Sequence, residues 1–418
     1  MSAHDPIAVG LSLPLWSVLP FAGLLLSIAL FPVFAPRFWV RHFGKVSLAF
    51  GLPVAAFFLL RAPMELAHTA LEYGSFIVLL AALFIVSGGI LVRGTFRSTP
   101  AVNSSFLAIG AVLSNLLGTT GASMLLIRPL LRANAGRKRA AHVVIFFIFV
   151  VANIGGSLTA IGDPPLFLGY LKGVPFFWTL THVGPMWLAA CGALIGIFFL
   201  VDRRAFALEG LMENGAPAAP AAPRVSIEGK INLLLLGAVI AAVFLPTPFR
   251  ETLMVAAAVV SVWKTPAGLR KENEFTYHPI EEVAILFAGI FATMIPAMLI
   301  LKARGGELGV TAPAQFFWAA GLLSSFLDNA PTYLVFFSLA QGMGGTGLVA
   351  GVSAPILVAI SAGAVFMGAN TYIGNAPNFM VKAIAEEAGV RMPSFLGYMG
   401  WSCCVLIPLF GLITLVFF

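Results

Sequence analysis

Residues 161–167 read Ile161-Gly162-Asp163-Pro164-Pro165-Leu166-Phe167, and residues 373–379 read Ile373-Gly374-Asn375-Ala376-Pro377-Asn378-Phe379. A second pair lies upstream of these: Leu113-Ser114-Asn115-Leu116-Leu117-Gly118-Thr119 and Leu323-Ser324-Ser325-Phe326-Leu327-Asp328-Asn329. The offsets are 212 and 210 residues, so both order and spacing recur. Chance similarity between apolar segments does not readily preserve both, and the chain reads as two related halves. Pro164 and Pro165 lack the backbone N–H and obstruct helix continuation. Gly155, Gly156 and Gly162 relax the backbone. Broken helices are therefore predicted at 142–170 and 352–384, each with free carbonyls and N–H groups at its interruption. In one respect the halves differ: Asn153 precedes Gly162 by nine residues, whereas Asn370 precedes Gly374 by four.

The surrounding chain is built for lipid. Hydrophobic residues make up 60% and charged residues 10%, where a soluble domain carries about 25% charged residues. Apolar stretches of about 20 residues, enough to cross a ~30 Å hydrocarbon core, recur at Leu13–Phe34, Ser75–Val92, His142–Ile161, Phe176–Val201, Ile231–Leu245, Glu282–Leu301 and Phe395–Phe418. They leave no room for a separate soluble domain. The first reads as a span, not a signal peptide, because Met1–Gly10 carries no Lys or Arg and Arg37 and Arg41 follow it. Cys191, Cys403 and Cys404 all fall in apolar stretches and read as small buried hydrophobes.

The net charge of +7 is distributed as a topology signal, not as a nucleic-acid footprint. If loops alternate between sides, 19 of the 24 Lys and Arg fall on one side, in the segments 37–45, 93–97, 128–139, 203–230, 264–271 and 382–391. Arg61, Lys172, Arg250, Lys302 and Arg304 fall on the other. The basic side is expected to be cytoplasmic, in a bacterial inner membrane, with both termini periplasmic. The count requires that 104–127 begin and end on the same side. That stretch carries Ser114, Asn115, Gly118, Thr119, Thr120 and Gly121 at its middle, which suits a re-entrant hairpin buried in protein. The stretch 316–339, with Asp328-Asn329-Ala330-Pro331-Thr332 at its middle, reads the same way with its ends on the opposite side.

The resulting fold class is an all-α polytopic membrane protein with inverted repeats, about ten transmembrane helices, two re-entrant hairpins and two broken helices. Its expected divisions are two N-terminal helices (1–73), a first repeat (74–201), a cytoplasmic linker (202–230) with a Pro/Ala spacer at 215–223, two connecting helices (231–278) and a second, inverted repeat (279–418).

Four stretches carry the polar chemistry: the two hairpin tips and the two interruptions. Asp163 and Asp328 are the informative charges, because a carboxylate at membrane depth costs roughly 2.5–3.5 kcal/mol on insertion scales. Neutral oxygens or hydrogen bonds would come from Asn115, Thr119, Asn153, Ser157, Thr159, Asn329, Thr332, Asn370, Thr371, Asn375 and Asn378, with Gly162 opening the backbone beside Asp163. Such oxygens suit a hard cation, so that one Asp could exchange a proton for a metal ion. An alternative for either acid is a helix cap. No Lys or Arg lies in the four stretches. His142 and His182 sit near span ends and read as interfacial. Phosphate-binding and dinucleotide fingerprints are absent, so an ion gradient, not ATP, is the expected drive.

The motifs Gly155-Gly156-Ser157-Leu158-Thr159-Ala160-Ile161-Gly162-Asp163 and Asp328-Asn329-Ala330-Pro331 resemble the ion transporter superfamily of arsenite carriers, divalent-anion/sodium symporters, citrate-metal carriers and NhaD-type antiporters. The resemblance covers about residues 75–418. It is greatest to the NhaD-type sodium/proton antiporters, and relatives of this kind include citrate-transporter-like proteins. It implies a secondary active transporter, not an enzyme, that exchanges sodium for protons at a midplane site, with no cofactor beyond those ions. The alternative is a cation-coupled citrate or other carboxylate symporter. The dicarboxylate symporters of the superfamily carry Ser-Asn-Thr at their hairpin tips, whereas this chain has Ser114-Asn115-Leu116 and Asp328-Asn329-Ala330. Expected partners are the bilayer, a small inorganic cation and, on the alternative, a small carboxylate; a homodimer is left open and nucleic acid is not expected.

Overall fold

Short proline-led turns pack the N-terminal helices side by side. In the computed structural model, which describes residues 6–94, 96–210, 226–344 and 347–418, α1 (Pro6–Ser12) is followed by α2 (Leu19–Phe34), α3 (Pro36–Arg61) and α4 (Pro63–Ser87). Pro36 and Pro63 stand at the first helical position, where a missing N–H costs nothing, and single alanines, Ala35 and Ala62, make the turns. The first repeat continues through α5 (Pro100–Ala133), α6 (Ala141–Val150), α7 (Pro164–Leu171), α8 (Trp178–His182) and α9 (Gly184–Leu208). Three connecting helices follow: α10 (Ile231–Ala242), α11 (Phe249–Lys264) and α12 (Ala267–Glu272). The second repeat comprises α13 (His278–Arg304), α14 (Pro313–Ser324), α15 (Asn329–Met343), α16 (Ala354–Met367), α17 (Ala376–Glu387) and α18 (Phe395–Phe417). Two small antiparallel ladders complete it, β1 (Leu91–Arg93) with β2 (Ser226–Glu228) and β3 (Leu348–Val349) with β4 (Val352–Ser353).

The protein is an integral, multi-pass, all-α membrane protein. Among the described residues seven helices are long and apolar enough to cross a bilayer, but α5 does not run straight. Gly118 has φ 74 and ψ 157, a conformation open to glycine and strained for other residues. The amides of Asn103 and Asn134 exchange hydrogen bonds of 3.0 and 2.8 Å, whereas 31 residues of unbroken helix would hold them ~46 Å apart. The element is a hairpin. Helices α14 and α15 form a second one, in which the Phe316 and Phe336 rings lie 6.3 Å apart. The first hairpin has its ends beside Arg137 and Asp202; the second returns to the opposite end, where Gly305 packs on the Leu339 carbonyl.

Helix α6 is buried on every side, with Val143 through Val150 at 2% exposure or less, as a helix apolar all round must be. Helix α16 is its counterpart, with Ala359, Ile360, Ala362 and Ala364–Met367 enclosed. Outward Leu and Phe side chains on α2, α3, α9 and α18 remain exposed, which in a bilayer is contact with acyl chains.

Several expectations need correction. The boundary at 73/74 falls inside α4, whose Glu65 and Glu72 precede its apolar half. Helix α9 runs on to Leu208, so the first part of the 202–230 linker is helical, and residues 226–228 are held as β2. The Pro/Ala spacer at 215–223 lies outside the described residues. Between the repeats stand three helices, not two, the third being only six residues long. Cys403 and Cys404 are exposed, because they sit on the outward face of α18; only Cys191 is buried. His142 is buried, not interfacial, because it donates to Asp202.

In a background free of the three native cysteines, Asn103→Cys with Asn134→Cys should cross-link under mild oxidation, read by intramolecular disulfide formation in mass spectra. A pair that stays fully reduced would contradict the hairpin.

Candidate functional site

The two hairpin tips are fastened to the two interrupted helices by matching hydrogen bonds. In the first repeat Ser114 donates to the Val151 carbonyl (2.7 Å), Asn115 to that of Gly155 (2.7 Å), and Thr159 to that of Asn115 (2.6 Å). In the second, Ser324 donates to the Ala364 carbonyl (2.6 Å), Ser325 to that of Met367 (3.1 Å), and Thr371 to that of Ser325. Glycine pairs repeat as well. A Cβ on Gly162 would stand 2.1 Å from the Gly156 carbonyl oxygen, and one on Gly374 would stand 2.5 Å from that of Gly368. The threonine and glycine equivalences at the interruptions follow the 212-residue offset, and the hairpin-tip ones the 210-residue offset. Asn153 and Asn370 therefore occupy non-equivalent positions in the two halves, which accounts for their unequal spacing.

Asp163 and Asn375 are the equivalent residues at which α7 and α17 begin, with nearly equal backbone angles (φ −145 and −152). Asp163 does not cap its helix. Pro164 and Pro165 remove the first two N–H groups of α7, so the carboxylate turns to the hairpins instead. Thr119 donates to its Oδ1 at 2.7 Å, Asn375 to the same oxygen at 3.2 Å, and Asn329 to its Oδ2. The three donors come from the first hairpin tip, the second interruption and the second hairpin tip. Asp163 is 1% exposed, and no Lys or Arg pairs with it among the described residues. The Thr119 amide donates to the Gly162 carbonyl at 2.8 Å, fixing the tip beside the acid.

Asp328 behaves differently. It occupies the N-cap of α15 and accepts from the Ala330 N–H at 3.0 Å, so the capping alternative holds for its Oδ1. It also lines, with Asp163, Thr119, Asn375 and Gly118, a narrow cavity of about 60 Å³ walled by α4, α7 and α13. That is room for a few water molecules or one small ion. Among the described residues the lining contains no Lys, Arg or His.

The remaining candidates separate into groups. Asn153 donates to Asn378 at 2.7 Å, and Asn375 reaches the Asn153 oxygen at 3.3 Å, so three asparagines join the interruptions across the repeats. Asn378 in turn donates to the Gly368 and Thr371 carbonyls. Asn115, Thr159, Thr371 and Asn370 hold the hairpin tips. Ser157 and Thr332 donate only to carbonyls three and four residues back and do not reach Asp163. The Oδ1 atoms of Asn329 and Asn370 are buried without a partner among the described residues. Sequence reading missed Ser325, which its alignment with Asn115 marks. It also missed Trp187, Tyr398 and Ser402, which donate to the carbonyls of Gly155, Ala369 and Asn370; isolated residues on long apolar helices give no local signal.

A family profile described as "putative citrate transport" matches residues 10–418. The chain belongs to this family. No curated protein gives a significant match. Membership in a transporter family agrees with a site that has neutral donors around one carboxylate, and the match extends over both repeats.

Gly162→Ala should lower thermal stability in detergent by an amount equivalent to about 1–3 kcal/mol, as overpacking does. Gly192→Ala, where a Cβ meets nothing within 4 Å, should leave the unfolding temperature unchanged or slightly raised.

Proposed function

We propose that the protein is a secondary active transporter of a bacterial inner membrane that exchanges a proton for a small cation, sodium by preference, at Asp163. One observation carries this reading: a fully buried carboxylate receives only neutral donors, and those donors come from both repeats. An ionised carboxylate left alone at membrane depth is costly. A proton or a cation removes that cost, so the two ligands compete for one place. Donors from opposite repeats make the affinity of that place depend on how the repeats sit against each other. Alternating access then couples cation binding to conformation. The hairpins are re-entrant on this reading, with Asp328 as a second acid beside the ion path.

A carboxylate symporter is the second reading, favoured by the family description and by geometry. The N-termini of α7, α15 and α17 begin at Asp163, Asp328 and Asn375, all of which line the same cavity. Positive helix ends attract an anion. With no basic side chain in the lining, citrate would require a bound cation beside Asp163, so cation binding at this residue is common to both readings.

Vesicles holding equal amounts of folded protein discriminate them. Proton release on adding sodium supports exchange; sodium-dependent citrate accumulation supports symport. Under either readout Asp163→Asn should cut transport at least about tenfold, a factor worth 1.4 kcal/mol. Thr119→Val, which removes one of three donors, should raise half-saturating sodium about fivefold, the equivalent of one net hydrogen bond of ~1 kcal/mol. Asp328→Asn keeps a capping side chain and should impair transport without changing thermal stability. Unchanged transport in Asp163→Asn would remove the proposed role.

The sidedness follows from the charge distribution. Three of the basic segments support a common end through their ion pairs, Arg93 with Glu228, Arg128 with Glu274, and Arg137 with Asp202. Glu72, Lys172 and Lys302 meet at another cavity. We assign the first end to the cytoplasm and the termini to the periplasm. Single cysteines at the exposed Lys230 and Glu307 should then label from opposite sides in intact cells, Glu307→Cys from outside.

A further inference from the structure

Two basic segments distant in sequence meet in a further cavity, of about 630 Å³, at the end assigned to the cytoplasm. Arg137, Lys138 and Arg139, between α5 and α6, line it together with His142, Arg391 from the α17–α18 connection and Trp401 of α18. It thus lies between the first repeat and the second. Among the described residues no acidic side chain lines it. The loop bearing the three consecutive cations is fastened by Glu209, which accepts from the backbone N–H groups of Lys138 (3.2 Å) and Arg139 (3.1 Å). One acid therefore fixes the loop through its backbone and leaves the Lys138 and Arg139 side chains exposed.

The deepest cation is built in. Arg137 is 7% exposed; its Nη1 donates to Asp202, which also accepts from Asn103 (3.0 Å) and His142 (2.8 Å). Its Nε stands 3.8 Å from Glu209, beyond hydrogen-bond reach, and neither Nε nor Nη2 has a hydrogen-bond partner among the described residues. Buried guanidinium donors left without acceptors are costly. Asp202 balances Arg137, but nothing in the lining balances Lys138, Arg139 and Arg391.

We propose that this cavity binds a phosphate-bearing anion, specifically the headgroup of an anionic lipid. Arg and Lys around a roomy inter-helix cavity match a phosphate by charge-assisted hydrogen bonds. Basic cavities between helix ends on the cytoplasmic side suit lipid headgroups, and each cation contributes about a factor of five in affinity. Trp401, whose ring packs 6.3 Å from Phe146, is the kind of aromatic side chain that sits at headgroup level. A lipid there would bridge the two repeats.

The test uses the full chain in nanodiscs of phosphatidylcholine alone or with phosphatidylglycerol; sidedness does not affect it because both leaflets are present. Native mass spectrometry after detergent extraction counts retained lipid, and thermal unfolding gives a second readout. Wild type should retain phosphatidylglycerol and unfold at a higher temperature with it. The variant Lys138→Gln/Arg139→Gln/Arg391→Gln, confined to exposed residues, should lose about a hundredfold in affinity. Arg37→Gln/Arg41→Gln/Lys45→Gln removes three exposed cations assigned to the same side and should change it less than about twofold, the size of a residual screened surface effect. Equal losses in both variants, or none in the first, overturn the proposal. Stabilisation by inorganic phosphate equal to that by phosphatidylglycerol overturns the lipid assignment.

Discussion

A helix interrupted in the membrane interior frees carbonyls that no water can reach, and each such group costs several kcal/mol unless a partner is supplied. The hairpin tips supply those partners here. Ser114 and Asn115 satisfy Val151 and Gly155; Ser324 and Ser325 satisfy Ala364 and Met367. Helices α9 and α18 complete the set, through Trp187 in one repeat and Tyr398 and Ser402 in the other. Without hairpins at these positions the interruptions would not be tolerated, and without the interruptions the hairpins would have no buried partner.

Close backbone approach is the second condition. Gly156 against Gly162 and Gly368 against Gly374 leave no space for a Cβ, so each interruption folds back on itself as a compact loop. That compaction brings Asp163 to the first hairpin tip and Asn375 to Asp163. The two equivalent positions of the repeats thus meet as an acid and an amide. Two acids in contact would repel; an acid and an amide hydrogen-bond. The departure from symmetry leaves one carboxylate at the meeting point while the second acid, Asp328, sits on a hairpin tip as a helix cap.

The outer shell obeys simpler rules. Leu and Phe on α3 and α18 face outward because acyl chains replace water there, and α6 and α16 need no amphipathic pattern because protein encloses them on every side. At one end Arg93 pairs with Glu228 across the β1–β2 ladder and with Glu272 of α12, joining the ladder to the connecting helices. Partly exposed pairs of this kind add little stability.

The membrane character, the two halves, the hairpins and the interruptions were legible in the sequence, because each depends on local composition: apolar length, glycine and proline within it, and basic residues at its ends. Asp163 was legible as well, since a carboxylate inside an apolar run is conspicuous wherever the chain folds. Tertiary structure decided the roles. Asp163 and Asp328 look alike as sequence, yet Pro164 and Pro165 deny the first its helix while Ala330 gives the second an N–H to cap. Ser157 and Thr332 bond locally, whereas Asn153 and Asn378 cross between repeats, a distinction fixed by contacts over 200 residues apart. Burial of His142 with Asp202 and the gathering of Arg137, Lys138, Arg139 and Arg391 around one cavity depend on the same long-range packing, which no window of sequence contains.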